Sequence, residues 1–296
     1  MEVWFTEKQT KDLSLGLRVT KTIAWEKTPY QELSVLETAQ FGRMLTLDGA
    51  VQTTIADEFV YHEMITHVPL FAHPDPRRVC IIGGGDGGAL REVLRHSRVE
   101  EATLVEIDER VLAAARAYLP EISCALDDGR ARVIVGDGIA HVHDNPARYD
   151  VIIVDSTDPV GAAEGLFTEA FYRDVHRALR EDGIVVAQSE SPFVSEGLVG
   201  RTFERVQKAF SIAKLYLAPI PTYPSGLWSF TAGSKTHDPA RPATLASAVG
   251  AGTGRLPFRT RYYTPAVHRA AFALPPFVQE IIGQAGSGSR AGQTED

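Results

Sequence analysis

Between residues 78 and 155 the chain alternates short apolar runs with amphipathic segments, and this alternation constrains its fold more than any other feature. Four candidate strands read RVCIIG, EATLVEID, RARVIVGD and YDVIIVDS, and the helical patterns ALREVLRH and ERVLAAARAYL lie among them. Continuous apolar strands that alternate with amphipathic helices are typical of a parallel sheet covered on both faces. The sequence therefore predicts an α/β fold. Later segments continue the pattern up to GLWSFTAGSK, which we interpret as a final edge strand.

The first 70 residues have a different pattern, with short alternating runs and turn signals at Phe41-Gly42 and Asp48-Gly49. This pattern predicts a small antiparallel β-domain. Residues 57–73 then show helical spacing that ends at HPDP, because proline does not continue a helix. The C-terminal tail is rich in glycine, serine and charge, which is typical of disorder. The predicted division is a β-domain over 1–70, a catalytic domain over 71–283 and a disordered tail over 284–296.

Charge and cysteine content narrow the function classes. The net charge is -8 with no basic block, which disfavours nucleic acid as a partner and favours a small cationic substrate. The two cysteines, Cys80 and Cys124, form no metal-type pair, so we expect reduced core thiols. The N-terminus does not resemble a signal peptide, and no apolar run approaches the ~18 residues that span a bilayer. We therefore expect a soluble, cytoplasmic protein without a membrane partner.

The stretch GGGDGG over 83–88 follows one strand and precedes a helix, and it satisfies GxGxxG through Gly83, Gly85 and Gly88. Missing side chains at such a turn let a ligand approach the backbone and the helix N-terminus. Glu106 ends the next strand, about 20 residues further on, where a carboxylate can accept hydrogen bonds from ribose hydroxyls. These features indicate a ligand that contains a nucleoside.

Acidic residues recur where the candidate strands end, and the carboxyl ends of parallel strands meet at one edge of a sheet. Mutual repulsion makes such a cluster costly unless a cationic ligand offsets it. Taken singly, Asp86 is also explained as a helix cap, Asp137 as a turn former and Asp158 as the start of an Asp-Pro turn. The members of the cluster are Asp86, Glu106, Asp137, Asp155 and Asp158.

An ordered series of motifs across nearly the whole chain resembles the polyamine aminopropyltransferases, the spermidine synthase family. The motifs are WFTEKQT, YQELSVLET, LDGAVQTT, DEFVYHEM, GGGDGGALREVLRH, VEID, GDG, VDSTDPVG, LFTEAFY, IPTYPSGLWSFT and YYTPAVHRAAFALPPF. The resemblance implies a methyltransferase-like Rossmann domain after a small N-terminal antiparallel β-domain, assembled as a homodimer or homotetramer.

The resemblance also implies a reaction. An aminopropyl group moves from decarboxylated S-adenosylmethionine, a co-substrate, to putrescine, which gives spermidine and 5′-methylthioadenosine without a metal or another cofactor. Agmatine, cadaverine or a longer polyamine are alternative acceptors. A methyltransferase would use Glu106 and Asp137 similarly, but it explains neither Asp86 nor VDSTDP. An NAD-dependent dehydrogenase leaves the later acids unused, and a non-catalytic polyamine-binding protein would not need Asp155.

Site residues follow from the matching motifs. Asp155 is implied as the catalytic proton acceptor. The methylthioadenosine part is assigned to Gln31, Glu106, Asp137 and Gly138. The amine groups are assigned to Gln52, Tyr61, His62, Asp86, Ser156, Thr157, Asp158 and Tyr223, and Trp4 is expected in the cavity wall. Without the resemblance, His62 could be a core histidine, Tyr61 and Tyr223 packing aromatics, and Gln31 and Gln52 surface amides.

One position departs from the family pattern. The family usually has proline where this chain has Ala162, and that proline contacts the nucleoside product. We retain Ala162 as a binding position, because a contact through the backbone would survive the change.

Asp86 suggests how the donor is selected. Ordinary S-adenosylmethionine carries a carboxylate that the decarboxylated form lacks, and an anion at that end would repel it. One such contact at ~4 Å and an effective dielectric of ~20 amounts to about 4 kcal/mol before screening.

Overall fold

The structure is a computed structural model that describes residues 2–157, 161–242 and 256–285. Its N-terminal part is an antiparallel meander in which sheet order follows chain order, as predicted. Leu33 and Val35 point to one face of this sheet and pack against Val111 and Ile122 of the following domain. Met44 belongs to the cluster on the other face. The strands are β1 Val3–Lys8, β2 Ser14–Lys27, β3 Glu32–Thr38, β4 Gly42–Leu47 and β5 Ala50–Thr54.

The second sheet has seven strands in the order β11-β12-β10-β9-β6-β7-β8. Five of them, from β10 to β8, are parallel, and the alternating apolar runs of the sequence form their buried centres. This confirms the α/β prediction with a Rossmann-like sheet. The strands are β6 Arg78–Gly83, β7 Glu101–Glu106, β8 Ala131–Val135, β9 Tyr149–Asp155, β10 Leu179–Gln188, β11 Ile212–Pro219 and β12 Leu227–Ser234.

The last strand along the chain, β12, does not lie at an edge of the sheet, so the interpretation of GLWSFTAGSK as an edge strand was wrong. β11 and β12 pair antiparallel through a turn at Pro224–Gly226, and β12 then lies between β11 and β10. The side chains of β12 are almost all buried, whereas those of β11 are partly exposed. The hairpin returns β12 to the interior of the sheet and leaves β11, which carries Lys214, at the edge.

The helices cover both faces of the large sheet. The first of them ends before HPDP, as predicted, and packs against β9 and β10, while the last packs against the helix Glu196–Ala209. The domain limits at 70 and 283 stay predictions, and residues 286–296 of the tail lie outside the described residues. The helices are α1 Glu58–Ala72, α2 Gly88–Leu94, α3 Glu109–Tyr118, α4 Pro120–Ser123, α5 Gly138–Asp144, α6 Glu169–Ala178, α7 Glu196–Ala209, α8 Pro265–Ala271 and α9 Pro276–Ala285.

The two thiols have different environments. Cys80 is buried in β6, as expected, but Cys124 is exposed, so the expectation of two core thiols was wrong. Cys124 directly follows the single turn of α4, which leaves it at the surface. Within the described ranges, no helix has both the length and the apolar character needed to cross a membrane.

Candidate active site

A cavity of about 510 Å³ lies at the carboxyl edge of the parallel strands, between the two sheets. The acids that end β7 and β9 meet there, as the sequence predicted, and the small sheet contributes the opposite wall. The predicted site residues that line it are Gln31, Gln52, Tyr61, His62, Asp86, Glu106, Asp137, Gly138, Asp155, Ser156, Thr157 and Tyr223.

Three other expected positions are not placed in the cavity wall. Asp158 lies outside the described residues, and the side chain of Ala162 is not described, although Ala163 lines the cavity. The expectation that Trp4 lines the cavity is not met in the single chain. Trp4 lies on β1 with about half of its surface exposed and with its ring against Gly16.

The glycine-rich loop makes room for the protein's own functional side chains. A Cβ atom at Gly84 would lie 2.7 Å from Oδ2 of Asp155, and one at Gly85 would lie 2.8 Å from Oε2 of Glu106. A Cβ atom at Gly88 would lie 2.2 Å from the ring of His62. We expected these glycines to let a ligand approach the backbone, and the structure adds that they let the acids and the histidine approach it.

Glu106 forms one end of the cavity. Its carboxylate is buried at the end of β7, and Oε1 accepts a hydrogen bond from the backbone N–H of Asp108 at 2.9 Å. Burial raises the pKa of Glu106 to about 7, although hydrogen bonds from backbone N–H groups oppose the rise. Asp137 lies further out and accepts a hydrogen bond at Oδ1 from the N–H of Ile139, which caps α5. The turn-forming role considered for Asp137 is therefore present beside its place in the cavity wall.

Asp108 was missed by the sequence reasoning, although it orients one of the predicted residues. Its Oδ2 accepts hydrogen bonds from the hydroxyl of Thr28 at 2.7 Å and from Nε2 of Gln31 at 3.0 Å. Its Oδ1 caps α3 through the N–H of Arg110 at 3.0 Å. Because the Gln31 amide donates to Asp108, its oxygen remains to accept from a ligand. The available signal was an aspartate directly before a helical pattern, which indicates only a cap.

Asp155 forms the other end of the cavity. It ends β9, and its Oδ1 accepts a hydrogen bond from the hydroxyl of Tyr61 at 2.6 Å. Part of the carboxyl faces the cavity, yet the surrounding walls displace most of its water. This burial and the charge of Asp86 raise the pKa of Asp155 to about 6, while the charge of His62 and the Tyr61 hydrogen bond oppose the rise. A carboxylate with a pKa near neutrality can both lose and accept a proton at working pH.

His62 lies behind this end with both ring nitrogens engaged. Nδ1 is 2.6 Å from Oε2 of Glu58, and Nε2 is 3.2 Å from Oδ2 of Asp86. Burial lowers the pKa of His62, but the two carboxylates outweigh it and raise that pKa well above its ordinary value. An imidazolium offers two donors and no acceptor, so His62 cannot also receive a hydrogen bond from an ammonium group. The geometry therefore places Asp86, rather than His62, as the group able to meet an amine.

Asp86 also contacts the backbone. Its Oδ1 accepts a hydrogen bond at 2.8 Å from the N–H of Gly88, the first residue of α2. The capping role considered for Asp86 is therefore present, and it fixes the carboxylate beside His62.

The far wall combines residues from distant parts of the chain. The hydroxyl of Tyr223 donates to the carbonyl oxygen of Gln52 at 2.6 Å, and the Tyr223 and Tyr61 rings lie 5.5 Å apart. Glu7 of β1 and Gln188 of β10 also line the cavity, and both are buried. Gln188 carried no recognisable sequence signal, and Glu7 was only part of the motif WFTEKQT, because only the tertiary structure brings β1 and β10 to this edge.

A group of possible metal ligands lies at the opposite end of β9. One ligand atom from each of His73, Asp150 and Asp182 falls within 4.8 Å of the others. Asp150 accepts hydrogen bonds from two backbone N–H groups and from the guanidinium of Arg180. Nδ1 of His73 accepts from the N–H of Asp75, so the ring proton lies on Nε2, which faces Asp182. These contacts are those of an ion-paired structural cluster, and we assign it no metal.

Two family models match the chain and together cover most of it. A spermine/spermidine synthase domain matches residues 58–241, and a spermidine synthase tetramerisation domain matches residues 3–54. The polyamine aminopropyltransferase of Caldicellulosiruptor bescii is 59% identical over 283 residues, with 95% of this chain and 99% of that protein covered. The enzyme of the same name from Moorella thermoacetica is 54% identical over 280 residues, with 95% and 96% covered.

Solved structures agree with this relationship. A crystal structure of a spermidine synthase in complex with the transition state analogue AdoDATO matches with a TM-score of 0.90 and 41% identity, with 95% of each chain covered. The spermidine synthase of Thermotoga maritima matches with a TM-score of 0.89 and 41% identity, with 95% of this chain and 94% of that chain covered.

Proposed function

The chain belongs to the spermine/spermidine synthase family, and on that premise we propose that it transfers the aminopropyl group of decarboxylated S-adenosylmethionine to putrescine. The observation that carries the proposal is one cavity with two different acidic ends. A buried glutamate suited to a ribose lies at one end, and a carboxyl with a pKa of about 6 lies at the other.

The donor is held by its nucleoside at the Glu106 end. The ribose hydroxyls donate to the Glu106 carboxylate, and the oxygen of Gln31 accepts from the same part of the ligand. Asp137 and Gly138 complete the nucleoside contacts. This orientation directs the aminopropyl chain of the donor toward Asp86, where its ammonium group finds an anion. The relatives that are named polyamine aminopropyltransferase support an aminopropyl donor as the ligand.

Asp155 prepares the attacking amine. An alkylammonium group with an ordinary pKa of about 10.4 holds its proton at pH 7, and freeing the lone pair costs roughly 4 to 5 kcal/mol. Asp155 takes that proton, and Tyr61 holds the carboxylate in place through its 2.6 Å hydrogen bond. The other ammonium of the diamine stays charged near Gln52 and the carboxylate of Glu7, both of which line the far wall.

The transfer itself is a direct displacement. The free amine forms a bond to the carbon beside the sulfonium, the carbon–sulfur bond breaks, and its electron pair stays on sulfur as neutral methylthioadenosine. The charge on the leaving group disappears, so the chemistry needs neither a metal nor a covalent enzyme intermediate. Positioning of the two reactants in line supplies most of the rate enhancement.

We also propose that the active protein is a homo-oligomer. The N-terminal sheet matches a spermidine synthase tetramerisation domain, and it exposes several large apolar side chains. Exposed apolar groups of this kind are typical of an interface between subunits. They are Val3, Trp4, Leu13 and Trp25.

The acceptor is tested with a panel of amines. Purified protein and decarboxylated donor are incubated with putrescine, cadaverine, agmatine and spermidine, and the products are identified by mass. We expect spermidine and methylthioadenosine from putrescine at the highest kcat/KM. A preparation of the Asp155→Asn variant controls for a host enzyme. Preference for another amine would revise the substrate, and methyl transfer from S-adenosylmethionine without aminopropyl transfer would overturn the proposal.

A further inference from the structure

We propose that Glu58 is a positioning residue for the amine end of the cavity, because it holds His62 as a fixed imidazolium and thereby lets Asp86 and Asp155 stay ionised together. Glu58 is buried and does not line the cavity, so it acts only through His62. The inference rests on the proposed function for its kinetic consequence, but the charge state of His62 can be measured without any substrate.

The contacts stabilise the protonated form of the histidine. Glu58 lies one helical turn before His62 on α1, and its Oε2 is 2.6 Å from the ring Nδ1. The same oxygen accepts a hydrogen bond from Nη2 of Arg91 at 2.8 Å, so the carboxylate cannot turn away. The Arg91 and His62 charges also lower the pKa of Glu58, against the effect of burial.

Among the described groups around His62, the carboxylates favour this state, the phenol of Tyr61 is neutral, and the Arg91 cation opposes it from the far side of Glu58. The carboxylates outweigh both this cation and the effect of burial. The groups are Glu58 on the same helix, Asp86 from the glycine-rich loop, Asp155 at the end of β9, the neutral phenol of Tyr61, and Arg91 of α2, which faces His62 across Glu58.

The charge on His62 affects the protonation of Asp155 through Asp86. Two carboxyl groups that interact within one dry site tend to share a proton, so that one of them is neutral. A neutral Asp155 could not accept a proton from the amine. The His62 cation lies against Asp86 and lowers the pKa of Asp155, which offsets the repulsion between the two acids. If Glu58 loses its charge, His62 loses its proton more easily, and Asp155 then binds a proton at a higher pH.

The test replaces the charge of Glu58 with a neutral amide of the same shape. Glu58→Gln is compared with Glu63→Gln, which changes another buried carboxylate on the same helix. Glu63 accepts hydrogen bonds from the backbone N–H groups of 261–263, away from the cavity. It therefore controls for the cost of placing an amide in α1.

The first measurement is the titration of histidine ring nitrogens by NMR in the ligand-free protein, with the His62 signal assigned by its loss in His62→Gln. We expect the wild-type ring and the Glu63→Gln ring to stay protonated at pH 7, and the Glu58→Gln ring to titrate at least about one pH unit lower than wild type. A wild-type ring that is neutral at pH 7, or one that titrates identically in Glu58→Gln, would overturn the proposal.

The second measurement is the pH dependence of kcat/KM. We expect the acid limb near pH 6 in the wild type and about one unit higher in Glu58→Gln, with about a tenfold loss at pH 5, about a fivefold loss at pH 6 and recovery at pH 8. Glu58→Asp, which keeps the charge, should restore the wild-type limb. An equal loss at every pH would show a merely structural role and overturn the proposal.

The outcomes separate this inference from the proposed function. A wild-type protein without aminopropyl transfer would refute the proposed function, while the NMR titration would still decide the state of His62. If Glu58→Gln does not fold, the wild-type titration and Glu58→Asp decide instead.

Discussion

The two ends of the cavity use the same kind of residue in opposite ways. Glu106 and Asp155 both end parallel strands, and burial raises the pKa of each, to about 7 and about 6. Glu106 accepts hydrogen bonds from backbone N–H groups and has the anion of Asp108 nearby, whereas Asp155 interacts with the anion of Asp86 and the cation of His62. The difference teaches that burial alone does not assign a role to an acid. Hydrogen bonds from neutral backbone groups suit a carboxylate that binds hydroxyl groups, such as Glu106. Neighbouring charges suit a carboxylate that takes up a proton, such as Asp155.

Removal of the proton acceptor should have the largest effect. Asp155→Asn keeps the size of the side chain and its hydrogen bond from Tyr61, but it cannot take a proton from the amine. We expect kcat to fall by about 10²- to 10⁴-fold, the usual contribution of a general base. Methylthioadenosine affinity, measured by calorimetry, should change little, because the other end of the cavity is intact. Near-normal turnover would refute the assignment of Asp155.

Asp86→Asn should change the choice of donor. The anion of Asp86 repels the carboxylate of ordinary S-adenosylmethionine, with about 4 kcal/mol as an upper value for one unscreened contact. We expect the affinity ratio of decarboxylated to ordinary donor to fall on the order of 10- to 100-fold. Asp48→Asn, which changes another acid of the cavity wall, serves as the control. An unchanged ratio in Asp86→Asn would show that the selection lies elsewhere.

Glu106→Gln should weaken ligand binding at the nucleoside end of the cavity and leave the amine end unchanged. Loss of a charged acceptor for two ribose hydroxyls costs about 1.5–3 kcal/mol, which corresponds to roughly 10- to 100-fold weaker binding of methylthioadenosine. The expected signature is a higher KM for the donor and a smaller change in kcat, with the acceptor KM unaffected. A large effect on the KM of the amine acceptor would contradict the assignment of Glu106 to the nucleoside end.

The raised pKa of Glu106 should also make stability depend on pH. A carboxyl whose pKa rises from 4.5 to about 7 on folding binds its proton more tightly in the native state, so it stabilises the protein fully below pH 4.5 and this stabilisation is lost as the pH rises through 7. Glu106→Gln does not have to bury a negative charge, and we expect it to be more stable than wild type at pH 8 by on the order of 3 kcal/mol. Thermal unfolding of both proteins at pH 5 and pH 8 measures this. A variant less stable than wild type at pH 8 would contradict the burial argument.

The fold was largely readable because its signals are local. The alternation after residue 78 predicted the parallel strands, and the alternating runs near the N-terminus predicted the antiparallel sheet. The edge assignment of GLWSFTAGSK was wrong because strand order depends on how a hairpin packs, which no local pattern encodes. The prediction that Cys124 is buried was wrong for a similar reason. Apolar neighbours in the sequence do not determine whether a side chain at the end of a short helix is exposed.

The sequence by itself determined that Asp86, Glu106, Asp137 and Asp155 lie at one sheet edge, because the side chains that follow parallel strands meet there. It also indicated the family, through motifs that depend on residue identity alone. Only the tertiary structure decided which acid has which neighbour. Glu7 and Asp108 gained their importance from contacts between segments that are far apart in the chain, and Glu58 from its contact with Arg91 of another helix. The charge on His62 depends on two carboxylates at fixed distances. Electrostatic interactions depend on distance and burial, and neither quantity can be read from the order of residues.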